Sequence, residues 1–323
     1  MPSAVLIANP AASGFTGGLH RSVVRILRRR FEVSPVWPRS ALDARAMAHQ
    51  AGNDRVDLVA AMGGDGIVHQ VAGALAGTDT TLAILPAGTT NVYARLLGIP
   101  TSTEKAARML VDGMSPEPQP LLRIEALGGG ESSLHYAVFA AGLGFDAEIV
   151  EAAESEPYRK YRFASWHYAR TSLGLLWQQF GDRLPHLRVR AGNRAADAAG
   201  LMVQFRSAYT FLGPVPLKLH PQPPSPMTVL VVERLRLLRA GEIVTRAALG
   251  RNLGDVEGLS IWQEVDRLEV EADPMVALQA DGESLGRIDR ALLTFLPAGL
   301  RVARPLSRRA GRFRRRAGAA RPA

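Results

Sequence analysis

Gly63, Gly64, Asp65 and Gly66 are the densest concentration of chemistry-bearing residues in the chain. Three glycines around one carboxylate follow the apolar run Asp57-Leu58-Val59-Ala60-Ala61. A strand is therefore expected to end in a turn whose backbone N–H groups can approach a phosphate closely, with the carboxylate facing a metal ion or a proton to be removed. Alone, such a turn is equally well explained by backbone conformation, because tight strand-to-helix turns use the same residues. Two further loops change the balance. Ala4-Val5-Leu6-Ile7-Ala8 breaks into Asn9, Pro10, Ala11, Ala12, Ser13 and Gly14, and Leu82-Ala83-Ile84-Leu85 opens into Pro86, Ala87, Gly88, Thr89, Thr90 and Asn91. Each loop precedes a helical pattern. Three polar, glycine-bearing loops at strand ends describe the edge of an open α/β sheet at which anions bind, so phosphoryl transfer is the expected chemistry.

Further carboxylates stand far along the chain, in Gln279-Ala280-Asp281-Gly282-Glu283 and in Gly142-Leu143-Gly144-Phe145-Asp146-Ala147. If residues 281 and 283 lie in a strand, both carboxylates point to one face; the bland reading is a solvated hairpin. Transfer of a phosphoryl group to an alcohol needs in-line positioning, neutralisation of oxygen charge and a base. Glu283 is the first choice for that base, Asp65 is the rival, and Asp281 orients Mg²⁺ or the network around it. Arg159, Lys160 and Arg162 could add positive charge near phosphates, or simply form a solvated basic helix end. A helix near 164–180 carries Trp166, Leu173, Trp177 and Phe180 at near-helical spacing, which suits core packing or the lining of a slot for an apolar substrate.

The elements that must position these residues fall into two styles. Residues 1–130 alternate strand and helix: strands near 4–8, 33–37, 57–62 and 82–85, helices near 18–30, 41–52, 67–77, 91–97 and 103–112. That is a doubly wound parallel sheet. The proline-rich stretch 114–120 interrupts the pattern, and Gly128, Gly129 and Gly130 supply a hairpin turn between strands at 121–127 and 133–141. Residues 131–303 hold short β-like runs separated by Pro, Gly and Asp, which reads as a mainly antiparallel, sandwich-like second domain. Residues 304–323 form an Arg/Ala tail expected to be disordered.

Composition narrows the classes. The 323 residues are 47% hydrophobic, ample for a two-domain core, and no stretch approaches the ~20 uninterrupted apolar residues of a membrane span. The N-terminus runs from Met1-Pro2-Ser3 into the first strand without a leader pattern. With no cysteine, disulfides, thiolate metal sites and a cysteine nucleophile are excluded. The formal charge of +9 is concentrated in eight arginines from Arg304 on, which leaves about +1 for residues 1–303.

With the three loops, the change of style near 130 and Asp281-Gly282-Glu283 together, the chain resembles the diacylglycerol kinase catalytic family, which includes bacterial soluble lipid kinases and sphingosine kinases. The resemblance runs from about residue 3 to residue 304. It implies an NAD-kinase/diacylglycerol-kinase-like nucleotide domain, a β-rich lipid-acceptor domain, ATP and Mg²⁺ as cofactors, and an active site in a two-domain cleft. Asn9, Pro10, Ser13 and Gly14 resemble the first nucleotide loop, Gly63, Gly64, Asp65 and Gly66 the phosphate loop, and Gly88, Thr89 and Asn91 the third. Asp281 and Glu283 resemble the Asp-Gly-Glu signature, where the family places a general base and a metal-linked carboxylate. Asp146 falls in a segment of which, in sphingosine kinases, an Asp contacts the acceptor head group, Trp166 of the apolar helix is the accompanying candidate for acceptor binding, and Arg159, Lys160 and Arg162 resemble residues that approach ATP phosphates.

Departures from the pattern are specific. Ile67, His69 and Gln70 stand where Thr, Asn and Glu are usual, and Ser40 is the nearest hydroxyl to a threonine expected after strand two. Ser225-Pro226 replaces an Asp-Gly turn that holds a structural Mg²⁺ in many bacterial members, so that site is expected to be absent. The expected function is an ATP-dependent kinase of diacylglycerol or another lipid, including sphingoid bases. NAD kinase and a lipid- or nucleotide-binding protein that has lost turnover are the competing readings. The expected setting is cytoplasmic, peripheral to the inner face of a membrane. Expected partners are a lipid substrate at that surface and optionally a second copy in a homodimer, with no specific nucleic acid.

Overall fold

The computed structural model describes residues 1–154, 186–234 and 239–305. Arg159, Lys160, Arg162, Trp166, Trp177 and the tail beyond Pro305 therefore lie outside the described residues. The chain divides into two compact units, one of residues 1–119 with 299–323 and one of residues 120–298.

Unit 1 is a parallel sheet with helices between its strands. In chain order it contains β1 (Ser3–Ala8), α1 (Gly17–Leu27), β2 (Glu32–Val36), α2 (Ala41–Asn53), β3 (Leu58–Gly63), α3 (Asp65–Ala74), β4 (Thr81–Pro86), α4 (Val92–Leu96) and α5 (Thr103–Gly113). β1 pairs in parallel with both β2 and β3, and β3 with β4. The order β2-β1-β3-β4 thus reverses direction at β1, and loops at the carboxyl ends of β1 and β3 flank that switch point, where open α/β sheets bind ligands. β3 and β4 are buried along their whole length, as expected of central parallel strands reading Leu-Val-Ala-Ala-Met-Gly and Thr-Leu-Ala-Ile-Leu-Pro. α1 packs on α5 and α2 on α3. Thr16 starts α1, its side chain accepting from the Leu19 amide at 3.1 Å.

Unit 2 is mainly antiparallel. It contains β5 (Met114–Gly128), β6 (Glu131–Ala137), β7 (Ala140–Gly144), α6 (Phe145–Glu154), β8 (Leu187–Ala191), β9 (Arg194–Ala198), β10 (Gly200–Gln204), β11 (Thr210–Leu212), β12 (Val215–Leu217), β13 (Met227–Val232), α7 (Ala240–Ala248), β14 (Leu259–Val265), β15 (Arg267–Ala280) and β16 (Glu283–Pro305). The strand order is β14-β13-β10-β7-β15-β16, with the hairpins β5–β6 and β8–β9 attached to β16 and β15. Its core is a continuous apolar cluster that includes Leu143, Val203, Val229, Trp262, Leu278 and Leu293.

Three expectations change. The proline-rich stretch does not break the chain; β5 starts at Met114, and the units divide after Gln119 rather than at 130, because the hairpin before the triple glycine belongs to unit 2. The last strand does not end with the second domain. Residues 299–305 return to unit 1, where Arg301 and Val302 pair in parallel with Thr81 and Leu82. Arg304, assigned to the tail, is within that strand and meets Glu117 at 3.1 Å. Finally, α6 and α7 were not foreseen at their positions. The hairpin turn itself is where the glycines put it, with Gly129 and Gly130 at φ of 59° and 87° between β5 and β6.

Candidate functional site

In unit 1 the three predicted loops come together. The Asn9 amide donates to the Met62 carbonyl (2.9 Å), the Gly14 amide to Ala87 (2.8 Å), and the Ala87 amide to Gly63 (2.8 Å). The hydroxyls of Ser13 and Thr89 are 3.2 Å apart. Such backbone-to-backbone stitching is possible because the residues at the crossings are small. A Cβ on Gly63 would meet Ile67 Cγ2 at 2.5 Å, and one on Gly14 would meet the Ala87 carbonyl at 2.9 Å. Gly64 is extended, with φ of −89°, and a Cβ there would meet the Gly88 Cα at an ordinary 3.5 Å, so the steric demand for glycine at this approach lies on Gly88. No side chain caps the N-terminus of α3.

Asn91 and Asp65 fix the third loop. Asn91 is buried and left-handed, with φ of 49°. Its Oδ1 accepts from the Gly88 amide at 3.0 Å and its Nδ2 donates to the Gly88 carbonyl at 2.7 Å. Asp65 accepts from the amides of Val92 (2.9 Å) and Tyr93 (3.1 Å), one on each oxygen, and so caps α4. Ile67 and His69 are buried on α3, Pro10 is exposed on the first loop, and Ser40 caps α2 by accepting from the Asp43 amide at 3.1 Å.

In unit 2 the Asp-Gly-Glu segment is not a continuous strand. Asp281 (φ 55°) and Gly282 (φ 84°) are both left-handed and form the two-residue turn between β15 and β16, closed by the pair Ala280 and Glu283. The shared strand face expected of Asp281 and Glu283 therefore does not exist. Nor is Asp281 a solvated turn residue. It is 4% exposed, and its carboxylate accepts from the amides of Val138 (2.8 Å), Phe139 (2.9 Å) and Ala140 (3.2 Å). Glu283 is half-buried just after the turn.

Asp146 lies at the start of α6, half-buried over Gly142, where a Cβ would run into its carboxylate. Tyr209 and Gln279 donate to the same oxygen, Oδ2, Gln279 at 2.6 Å. Burial pushes the Asp146 carboxyl up to about 6, against the opposing effect of these two hydrogen bonds. Burial and the adjacent Asp146 raise the Tyr209 phenol well above its ordinary range. Sequence reasoning missed Tyr209 and Gln279. Gln279 carried a signal, a lone amide in the apolar run Val276-Ala277-Leu278, whereas Tyr209 carried none.

Both oxygens of Asp65 and of Asp281 are engaged by backbone amides, and no group of three or more potential metal ligands occurs among the described residues. No described helix is long and apolar enough to cross a membrane.

Residues 3–118 match the diacylglycerol kinase catalytic domain. A diacylglycerol kinase of Mycobacterium tuberculosis (strain CDC 1551 / Oshkosh) is 37% identical over 135 residues, 42% of each chain. One from Bacillus subtilis (strain 168) is 35% identical over 120 residues, covering 36% of this chain and 40% of that protein. The aligned parts thus span under half the length of these relatives. A diacylglycerol kinase structure from Bacillus anthracis str. Sterne superposes with a TM-score of 0.65 over 94% of this chain and 96% of that one, at 17% identity, and so shares the fold.

Proposed function

We propose that the protein, whose residues 3–118 match the diacylglycerol kinase catalytic domain, is an ATP-dependent lipid kinase that phosphorylates a hydroxyl of diacylglycerol to give phosphatidic acid. The observation that carries this reading is the meeting of the three loops through Gly14, Gly63 and Gly88 at the switch point of the sheet, beside the uncapped N-terminus of α3. Asn9, Ser13 and Thr89 border it, and Arg159, Lys160 and Arg162 are assigned to ATP phosphates from sequence. Glu283 is the base, since Asp65 and Asp281 are committed to amides. Mg²⁺ is expected to arrive with ATP, where it would neutralise phosphate charge. Asp146 faces the acceptor. The enzyme would meet its lipid at a bilayer surface, to which the arginines after Pro305 add electrostatic attraction.

The test is transfer of labelled phosphate from ATP by purified protein to a panel of diacylglycerol, monoacylglycerol, a sphingoid base and NAD. Label in phosphatidic acid is expected. Label in NAD, or in nothing, refutes the proposal, and label in another lipid corrects the acceptor.

A further inference from the structure

Gln279 is 3% exposed and Tyr209 8%, yet every polar atom of the Gln279 side chain is used. Its Nε2 donates to Asp146 Oδ2 at 2.6 Å and to the Tyr209 hydroxyl at 2.9 Å, while its Oε1 accepts from the Gly282 amide at 3.0 Å. The Tyr209 hydroxyl in turn donates to Asp146 Oδ2. One amide therefore connects the carboxylate at the start of α6 to the turn that carries Glu283. Both donors fall on Oδ2, and among the described residues no donor reaches Oδ1.

This arrangement is poorly suited to a purely structural role. A desolvated carboxylate whose partners are both neutral is costly, and a neutral side chain would join α6 to β15 at lower cost. The strands packed against α6 offer no compensation. β7 and β10 contain no titratable residue, and the charged residues of β15, from Arg267 to Asp273, lie in its other half. α6 itself adds Glu148 and Glu151, the latter paired with Arg287 at 3.2 Å, and Asp281 beyond β15 is a further negative charge.

We propose that Tyr209 and Gln279 are positioning residues that pin Asp146 through Oδ2, so that Oδ1 is presented to a hydroxyl of the acceptor lipid, in fixed relation to Glu283. This rests on the lipid-kinase reading above. Tyr209→Phe deletes one donor, and Gln279→Met deletes both the donor to Asp146 and the acceptor for Gly282 at similar volume. In full-length protein assayed with ATP and water-soluble dioctanoylglycerol, kcat/KM for the lipid should fall about 10-fold for Tyr209→Phe and about 100-fold for Gln279→Met. KM for ATP should stay within about twofold in both.

The second readout is the Asp146 carboxyl titration, followed by NMR on protein labelled at aspartate carboxyl carbon and assigned by its absence in Asp146→Asn. Loss of hydrogen bonds that favour the ionised form should move it to higher pH in both variants. The acid limb of the lipid kcat/KM profile should move with it. An unchanged titration, or unchanged lipid kcat/KM, overturns the proposal. If the wild type phosphorylates no lipid of the panel, the lipid-kinase reading fails and the acceptor role falls with it; a titration that still moves marks that case apart from failure of the positioning network.

Discussion

Gly64 and Gly88 stand face to face: a Cβ added to Gly88 would lie 2.5 Å from the Gly64 Cα and 3.1 Å from Asn91 Oδ1. Two loops from different strand ends approach as closely as backbone permits. Gly88→Ala should therefore separate them and weaken ATP binding, by about 10-fold or more, with the fold retained. Gly73→Ala on α3, where the added methyl meets nothing within 4 Å, is the control. It should leave ATP affinity unchanged and stabilise by about 0.5–1 kcal/mol. Calorimetric titration with ATP and thermal melts measure both.

Asp65→Asn separates capping from base catalysis. The amide keeps only one acceptor for the two amides of α4, so Tm should fall by the equivalent of about 1–3 kcal/mol, and ATP affinity should weaken in parallel. Abolished turnover with unchanged melting and ATP binding would instead make Asp65 the base.

Glu283→Gln keeps shape and hydrogen-bonding capacity but removes the proton acceptor. Turnover should fall by roughly 10²–10⁴-fold with ATP affinity intact. Full activity in this variant rules Glu283 out.

Asp281 makes a stability prediction. Asp281→Asn leaves fewer acceptors for the amides of Val138, Phe139 and Ala140, and should lower Tm strongly. Because these partners are amides rather than a metal, a chelator without nucleotide should not shift the wild-type melt. A large loss on chelation would place a structural ion in the protein.

Asp146→Asn should trade function for stability. The carboxyl is raised to about 6 from its ordinary 3.8, so the folded state binds the proton more tightly, and wild-type stability declines as pH rises through that interval. The variant lacks this decline. Its advantage in melting should be near zero at pH 4 and grow to at most about 2–3 kcal/mol above pH 7, while lipid phosphorylation is lost. A variant that melts below the wild type at pH 8 contradicts the assignment.

The parts of the site legible in the sequence are those whose logic is local. Each loop of unit 1 carries its glycines, hydroxyls and Asn91 within a few residues of a strand end, so the types alone announce a turn that approaches an anion. The turn at Asp281-Gly282 was legible in principle, because Asp-Gly is the favoured pair for a two-residue hairpin. Its carboxylate was not, since the amides that it holds are more than 140 positions away. Tyr209 is 63 positions from Asp146, in a loop without any motif, and only folding brings them together. The course of β16 was hidden for a different reason: one unbroken strand serves both units, so no shift in residue pattern marks where it passes from one to the other.

That strand also sets an order of assembly. Thr81 and Leu82 of β4 wait for Arg301 and Val302, so the unit begun first during synthesis is completed last. Until then the β4 edge is an open ladder, and a fragment ending at Gln119 would keep it permanently exposed to pairing with other chains. The nucleotide unit is thus poorly separable by simple truncation. A permutant that places residues 299–305 ahead of β1, joined by a linker long enough to cross back over the parallel sheet, would be the way to produce it alone.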